Sequence, residues 1–323
     1  MKQVRKIALL LALLLLALSL SSCVGSRDRT VKIAVIVKAT DSDFWHAVRA
    51  GVEAAAIEYN ATVTFEGPEN EEDYEAQNRM IADAVLRGVN VIVLSAIDYD
   101  RNADAVNDAI RRGVKVITID SNVNSDLVTQ FIGTDNYEAG IAAAQAAVDF
   151  TPPSGAKIRI GLVNYKSETA NGRRREEGFR AYIASVGNAE IVASVTADSN
   201  EASATVGAKQ LLEAYPEINV LVGFNEWMTL GVGNAIREKG KAESVRGIGF
   251  DSNVISVGML ETAEMDALIV QNPFAIGYLG VRNAARLAVG DDVGNAKIST
   301  AMTTVTKKNM FDADIQKILF RFT

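Results

Sequence analysis

Strand-like and helix-like segments alternate from Val31 onward, and that rhythm limits the fold more than any other feature. "VKIAVIVK" at 31–38 is an apolar, β-favouring run, as a strand buried on both faces requires. "FWHAVRAGVEAAAIEY" then carries apolar residues at helical spacing, and "ATVTFEG" returns to a strand. "EEDYEAQNRMIADAVLRG" opens with acids that suit a helix N-terminus and ends in Arg87-Gly88, which suits a stop. "VNVIVLS", a helix over 102–112 and "VKVITID" follow. After "TQFIGTD" the rhythm restarts with a helix over 136–150, the loop "TPPSGA", and the strands "KIRIGLVNY", "AEIVASVTA", "INVLVGFN" and "VRGIGFD", with helices between them. Crossovers of this length pair strands in parallel, so the expected fold is α/β, with two doubly wound parallel-sheet lobes.

The strands share a way of ending. Each is apolar until its last residues, then closes on a hydrogen-bonding side chain: Lys38, Ser95, Asp120, Asn164 with Tyr165, Asn225, Asp251 and Gln271. "RGVNVIVLS" and "RGVKVITID" place Ser95 and Asp120 alike, and "LVGFN" and "GIGFD" do the same for Asn225 and Asp251. Open parallel sheets bind ligands outside the carboxyl ends of their strands. Any one such residue also serves as a turn former or helix N-cap. Their recurrence in both lobes favours one shared cleft.

Ahead of this lies a basic start (Lys2, Arg5, Lys6), an apolar run over 7–20, and Leu20-Ser21-Ser22-Cys23. The run is shorter than the roughly 20 residues that span a bilayer, and it reads as a secretory signal. The four residues resemble the bacterial lipobox, which implies a signal peptide over 1–22, a lipid on Cys23 and a tether over 23–30. Cys23 is the only cysteine, so no disulfide forms within the chain. The net charge of −7, without a basic patch, argues against nucleic acid. No CxxC, HExxH, Walker A or GxGxxG pattern is present, so neither metal nor cofactor is expected.

From Val31 to about Lys307 the chain resembles type I periplasmic solute-binding proteins of the ribose-binding family. The resemblance rests on "TDSDFWHAVRAG", "VITID", "FIGTDN", "RRREEGF", "GFNEWMTLG", "GIGFD" and "VQNP", in family order. It implies two lobes joined by a three-crossing hinge, one made of 31–133 plus 272–301 and the other of 134–271 plus 302–323. It implies a monomer that takes a sugar-like ligand between its lobes and, in lipoprotein form, delivers it to an ABC transporter permease. The same cleft would serve a membrane sensor, either a histidine kinase or a chemoreceptor. By position, Phe44 and Trp45 match the aromatics that cover a sugar ring. Asp120 and Asp251 match carboxylates that accept from hydroxyls, Arg173 the arginine that donates to ligand oxygens, and Asn225 and Gln271 the amides. Ser42, Ser95 and Ser121 complete the expected contacts. Arg174 reads as a solvated helix face, and Arg175 is open between that face and the cleft.

The chain departs from the family in three places. Lys38 ends the first strand, Asp41 and Asp43 flank Ser42, and Ser199 stands where an aromatic is expected. Lys38 beside Arg173 favours an acidic ligand, unless Asp41 and Asp43 pair the lysine. The acids of "ENEEDYE" read as helix-dipole and solvation groups. A glycosidase using Asp120 and Asp251 is the alternative from another class. A cytoplasmic repressor's ligand domain would share the fold, but the leader points outward.

Overall fold

Strand β1 (Val31–Ile36) sends Ile33 and Val35 to one face of its sheet and Ala34 and Ile36 to the other. All four are buried, so an unbroken apolar run is what this strand requires. The computed structural model describes residues 30–149, 157–166 and 168–320. The leader with Cys23, the tether up to residue 29, the loop "TPPSGA" and residues 321–323 lie outside the described residues.

The first sheet adds β2 (Ala61–Glu66), β3 (Val91–Leu94), β4 (Lys115–Ile119), β5 (Gln130–Thr134) and β11 (Ile298–Thr300). Its order is β11-β5-β4-β3-β1-β2, parallel throughout. The second sheet holds β6 (Ile158–Tyr165), β7 (Ala189–Ala197), β8 (Val220–Gly223), β9 (Arg246–Phe250), β10 (Ala267–Val270) and β12 (Thr303–Thr306). Its order is β12-β10-β9-β8-β6-β7, with β12 alone antiparallel. The two orders are the same once relabelled, so the chain builds one doubly wound motif twice. It passes from one sheet to the other after β5, after β10 and between β11 and β12.

Helices cover the sheets, and glycine sets how closely they approach. A Cβ on Gly51, in the helix Asp43–Glu58, would lie 2.1 Å from the carbonyl oxygen of Phe274 in the helix Pro273–Val289. In the other lobe a Cβ on Gly140, in the helix Asn136–Asp149, would lie 2.0 Å from the carbonyl oxygen of Arg175. These contacts fix the helices that carry Phe44 and Arg175. Among the described residues no helix is long and apolar enough to cross a membrane.

Candidate functional site

Asp120 and Asp251 follow β4 and β9, the equivalent strands of the two lobes. Both have left-handed backbones, with φ of 54° and 64°. Their amides donate to Ile132 and Ile269, each over 3.0 Å, so the neighbouring strand holds the bend in both cases. Aspartate tolerates this conformation better than most residues. The bend turns each carboxylate out of its strand, and both line one cavity between the lobes with an empty volume of about 300 Å³.

The first lobe lines this cavity with Lys38, Ser42, Phe44, Trp45, Glu71 and Asp120. Ser42 caps the helix that begins at Asp43, its hydroxyl accepting from the Trp45 amide at 3.3 Å. The rings of Phe44 and Trp45 meet edge to face at 5.0 Å. Trp45 is almost fully buried, and its indole N–H donates to Glu71 at 2.9 Å. Lys38 Nζ lies 3.6 Å from Glu71 and 3.5 Å from Asp120. It also stands 5.8 Å from the Trp45 ring and 5.4 Å from the Tyr165 ring. Burial alone would lower the Lys38 pKa. The two carboxylates outweigh it and hold the lysine pKa above its ordinary value. The partners of Lys38 are therefore Glu71 and Asp120, not Asp41 or Asp43. Glu71 leaves the solvation role expected of its acidic run and forms part of the cavity wall.

The second lobe contributes Tyr165, Asn171, Arg175, Asn225, Glu226, Trp227 and Asp251, with Gln271 at a crossing. Arg175 is 1% exposed. Its Nε donates to Asn136 and its Nη1 to the carbonyl of Phe224, both over 2.8 Å, and its plane lies 4.6 Å from the Phe250 ring. Gln271 donates to Asp251 over 2.7 Å. Burial raises the Asp251 pKa, against the pull of the Arg175 charge and the Gln271 bond. Among the described residues, two buried atoms at this wall lack partners, the donor Arg175 Nη2 and the acceptor Gln271 Oε1.

Arg173 stands apart from the other expected contacts. It does not line this cavity: its guanidinium lies 4.9 Å from the Tyr99 ring and 3.9 Å from Glu177, half exposed. Two residues along a helix turn about 200°, so Arg173 and Arg175 face opposite ways. Ser95 lies behind the wall and donates to Asp120 at 2.9 Å, so it orients that carboxylate from outside the cavity. Ser121 also lies outside the wall, with its buried hydroxyl unpartnered. Asn225 lines the cavity, but its amide is engaged: Oδ1 accepts from Met228 and Nδ2 donates to Ser199. Ser199, in place of an aromatic, also donates to Glu71 over 3.0 Å and, through its amide, to Glu72 over 2.6 Å.

The lobes touch directly across the cavity. Asn171 donates to both Asp120 oxygens at 3.1 and 3.2 Å, and accepts from the Tyr165 hydroxyl at 2.9 Å. The Phe44 amide donates to Glu226 at 3.2 Å. Asn171, Glu226 and Trp227 join Glu71 as cavity residues that no sequence motif marks as such. Arg175 had a legible signal: Asn171, Arg175, Gly178, Phe179 and Ile183 recur at the spacing of one buried helix face.

A family model described as a periplasmic binding protein domain matches residues 33–292. The ribose import binding protein of Haemophilus influenzae is 26% identical over 304 residues, covering 94% of this chain and 100% of the relative. A carbohydrate transporter solute binding protein from Agrobacterium radiobacter, solved in complex with D-arabinose, has a TM-score of 0.86 at 28% identity. That match covers 91% of this chain and 100% of that one. An ABC transporter solute binding protein from Agrobacterium vitis with bound D-fucose has a TM-score of 0.85 at 31% identity, covering 90% of this chain and 100% of the other. The chain belongs to the periplasmic binding protein family in its two-lobed type I form, among sugar-binding transport components and not enzymes.

Proposed function

We propose that the chain captures a monosaccharide or similar polyol between its lobes and delivers it to an ABC transporter. Cys23 would carry the lipid that holds it outside the cytoplasmic membrane. The observation that carries the ligand class is the unpartnered pair at the cavity wall. Arg175 Nη2 requires an acceptor and Gln271 Oε1 requires a donor. A hydroxyl group is both at once. Phe44 and Trp45 supply apolar surface for the C–H face of a sugar ring. The bound D-arabinose and D-fucose of the two solved relatives belong to the same class.

Calorimetric titration with D-ribose, D-allose, D-arabinose and D-fucose tests this reading. A Kd on the order of micromolar or tighter, near −8 kcal/mol, is expected for at least one of them. Failure of every neutral pentose and hexose, with tight binding of an amino acid or peptide, would overturn it. Cys23→Ser should move the chain from the membrane fraction to the soluble one. Unchanged membrane association would sink the lipid anchor and leave the ligand reading standing.

A further inference from the structure

Glu226 is the first residue of the helix Glu226–Glu238, directly after its Asn225 cap, and its side chain is buried at the seam between the lobes. Oε2 accepts from the Phe44 amide of the other lobe at 3.2 Å. Oε1 accepts from Asn253 Nδ2 at 2.8 Å, and Asn253 caps the helix Val254–Thr262. Ser42, the cap of the Phe44 helix, lies close enough to favour the charged form of this carboxyl. Three helix N-termini, one of them from the opposite lobe, thus meet at a single carboxyl group.

We propose that Glu226 is a closure residue: its bond to the Phe44 amide holds the lobes together and couples their closing to uptake of a proton. This rests on the reading of the cavity as a ligand cleft that opens and closes.

Burial pushes the Glu226 pKa up to about 7 in the closed form, and the nearby Asp251 carboxylate adds to the rise. The bonds from Asn253 and Phe44 and the nearby Ser42 pull the other way and lose. Lys38, Arg175, Glu71 and Asp120 share the cavity wall with it, and the exposed Asp43 stands at the start of the Phe44 helix. Lys38 is already committed to Glu71 and Asp120. With the seam parted, Glu226 regains water, and its pKa returns toward the ordinary 4.5. The group is thus raised in the closed state. Its contribution to closure is fully present below the open-state value and is lost as pH rises through about 7. A protonated carboxyl still offers its carbonyl oxygen to the Phe44 amide, so the seam bond survives protonation.

The test is calorimetric titration of the full chain with D-ribose, D-arabinose and D-fucose, at pH 6, 7 and 8, in buffers of differing ionisation enthalpy. Wild type should take up about one proton per ligand at pH 6 and about half a proton at pH 7, with affinity about tenfold higher at pH 6 than at pH 8. Glu226→Gln carries the neutral group at every pH and should lose most of that uptake and slope. Glu72 remains in the variant, itself raised by burial at the rim, so the difference between the two proteins is what reports Glu226. A purely structural role would weaken E226Q equally at every pH and leave the proton uptake intact, which overturns the proposal. Sugar binding without proton uptake overturns it as well, while sparing the sugar reading. Should none of the three sugars bind, X-ray scattering of the unliganded chain decides. Contraction between pH 8 and pH 6 in wild type but not in E226Q supports closure coupling, and no contraction, or the same contraction in both, refutes it.

Discussion

Arg175→Met should reduce sugar affinity by at least about a hundredfold, whereas Arg173→Ala should change it less than about threefold. Methionine keeps much of the volume of the arginine stem and removes its fork. The Asn136 amide oxygen and the Phe224 carbonyl then lose their donors in a site with 1% exposure. Asp251 loses the positive charge that offsets its burial. A buried acceptor left unpaired costs about 1–3 kcal/mol, so the variant should also unfold more easily by roughly 2–4 kcal/mol. Binding and stability are separable here. Arg173 makes a 3.9 Å contact with Glu177 at a half-exposed helix face, and pairs of that kind contribute about 0–1 kcal/mol. Thermal unfolding beside ligand titration checks both variants. Equal affinity losses in the two would show that the cavity wall has been assigned to the wrong arginine.

The contrast between these two arginines shows how far the sequence is legible. The alternation of strands and helices was strong enough to indicate two parallel sheets, because a strand buried on both faces tolerates almost no polar residue before its end. The polar strand ends Lys38, Asp120, Asp251 and Gln271 were readable for the same reason, and all four line the cavity. Family position points to Arg173 within a run of three arginines, whereas the period of the helix assigns Arg175 to the buried face. Glu71 and Glu226 were illegible in a different way. An acid in a loop, or in the first turn of a helix, has an ordinary explanation in solvation or the helix dipole. Only the meeting of the two lobes buries these acids, and no local pattern records which residue of one lobe lies opposite a residue of the other. Ser199 shows the converse. It stands where an aromatic is expected, and its hydroxyl and amide donate instead to Glu71 and Glu72 of the opposite lobe.

Asp251→Asn should cost about a hundredfold in affinity for a neutral sugar and leave the fold nearly as stable. Asparagine is the informative substitution because it tolerates the left-handed backbone at φ 64°, whereas alanine there adds strain of roughly 1–2 kcal/mol unrelated to the ligand. The asparagine oxygen can still accept from Gln271, so the bond at the hinge crossing survives. What disappears is the charge and half of the accepting capacity. Asp120, its counterpart in the other lobe, already accepts from Ser95 and Asn171 and pairs with Lys38. Asp251 accepts one side-chain hydrogen bond, from Gln271, and so keeps more capacity for a guest. Two charge-assisted bonds to adjacent hydroxyls, at about 1.5–3 kcal/mol each, set the size of the loss. Removing a carboxylate whose pKa burial has already raised relieves part of an unfavourable charge, which is why stability should not fall with affinity. Calorimetry at pH 8 with the tightest-binding sugar, together with thermal unfolding, measures both. Affinity within threefold of wild type would mean that the ligand's hydroxyls are held elsewhere in the cavity and that Asp251 serves only Arg175 and Gln271.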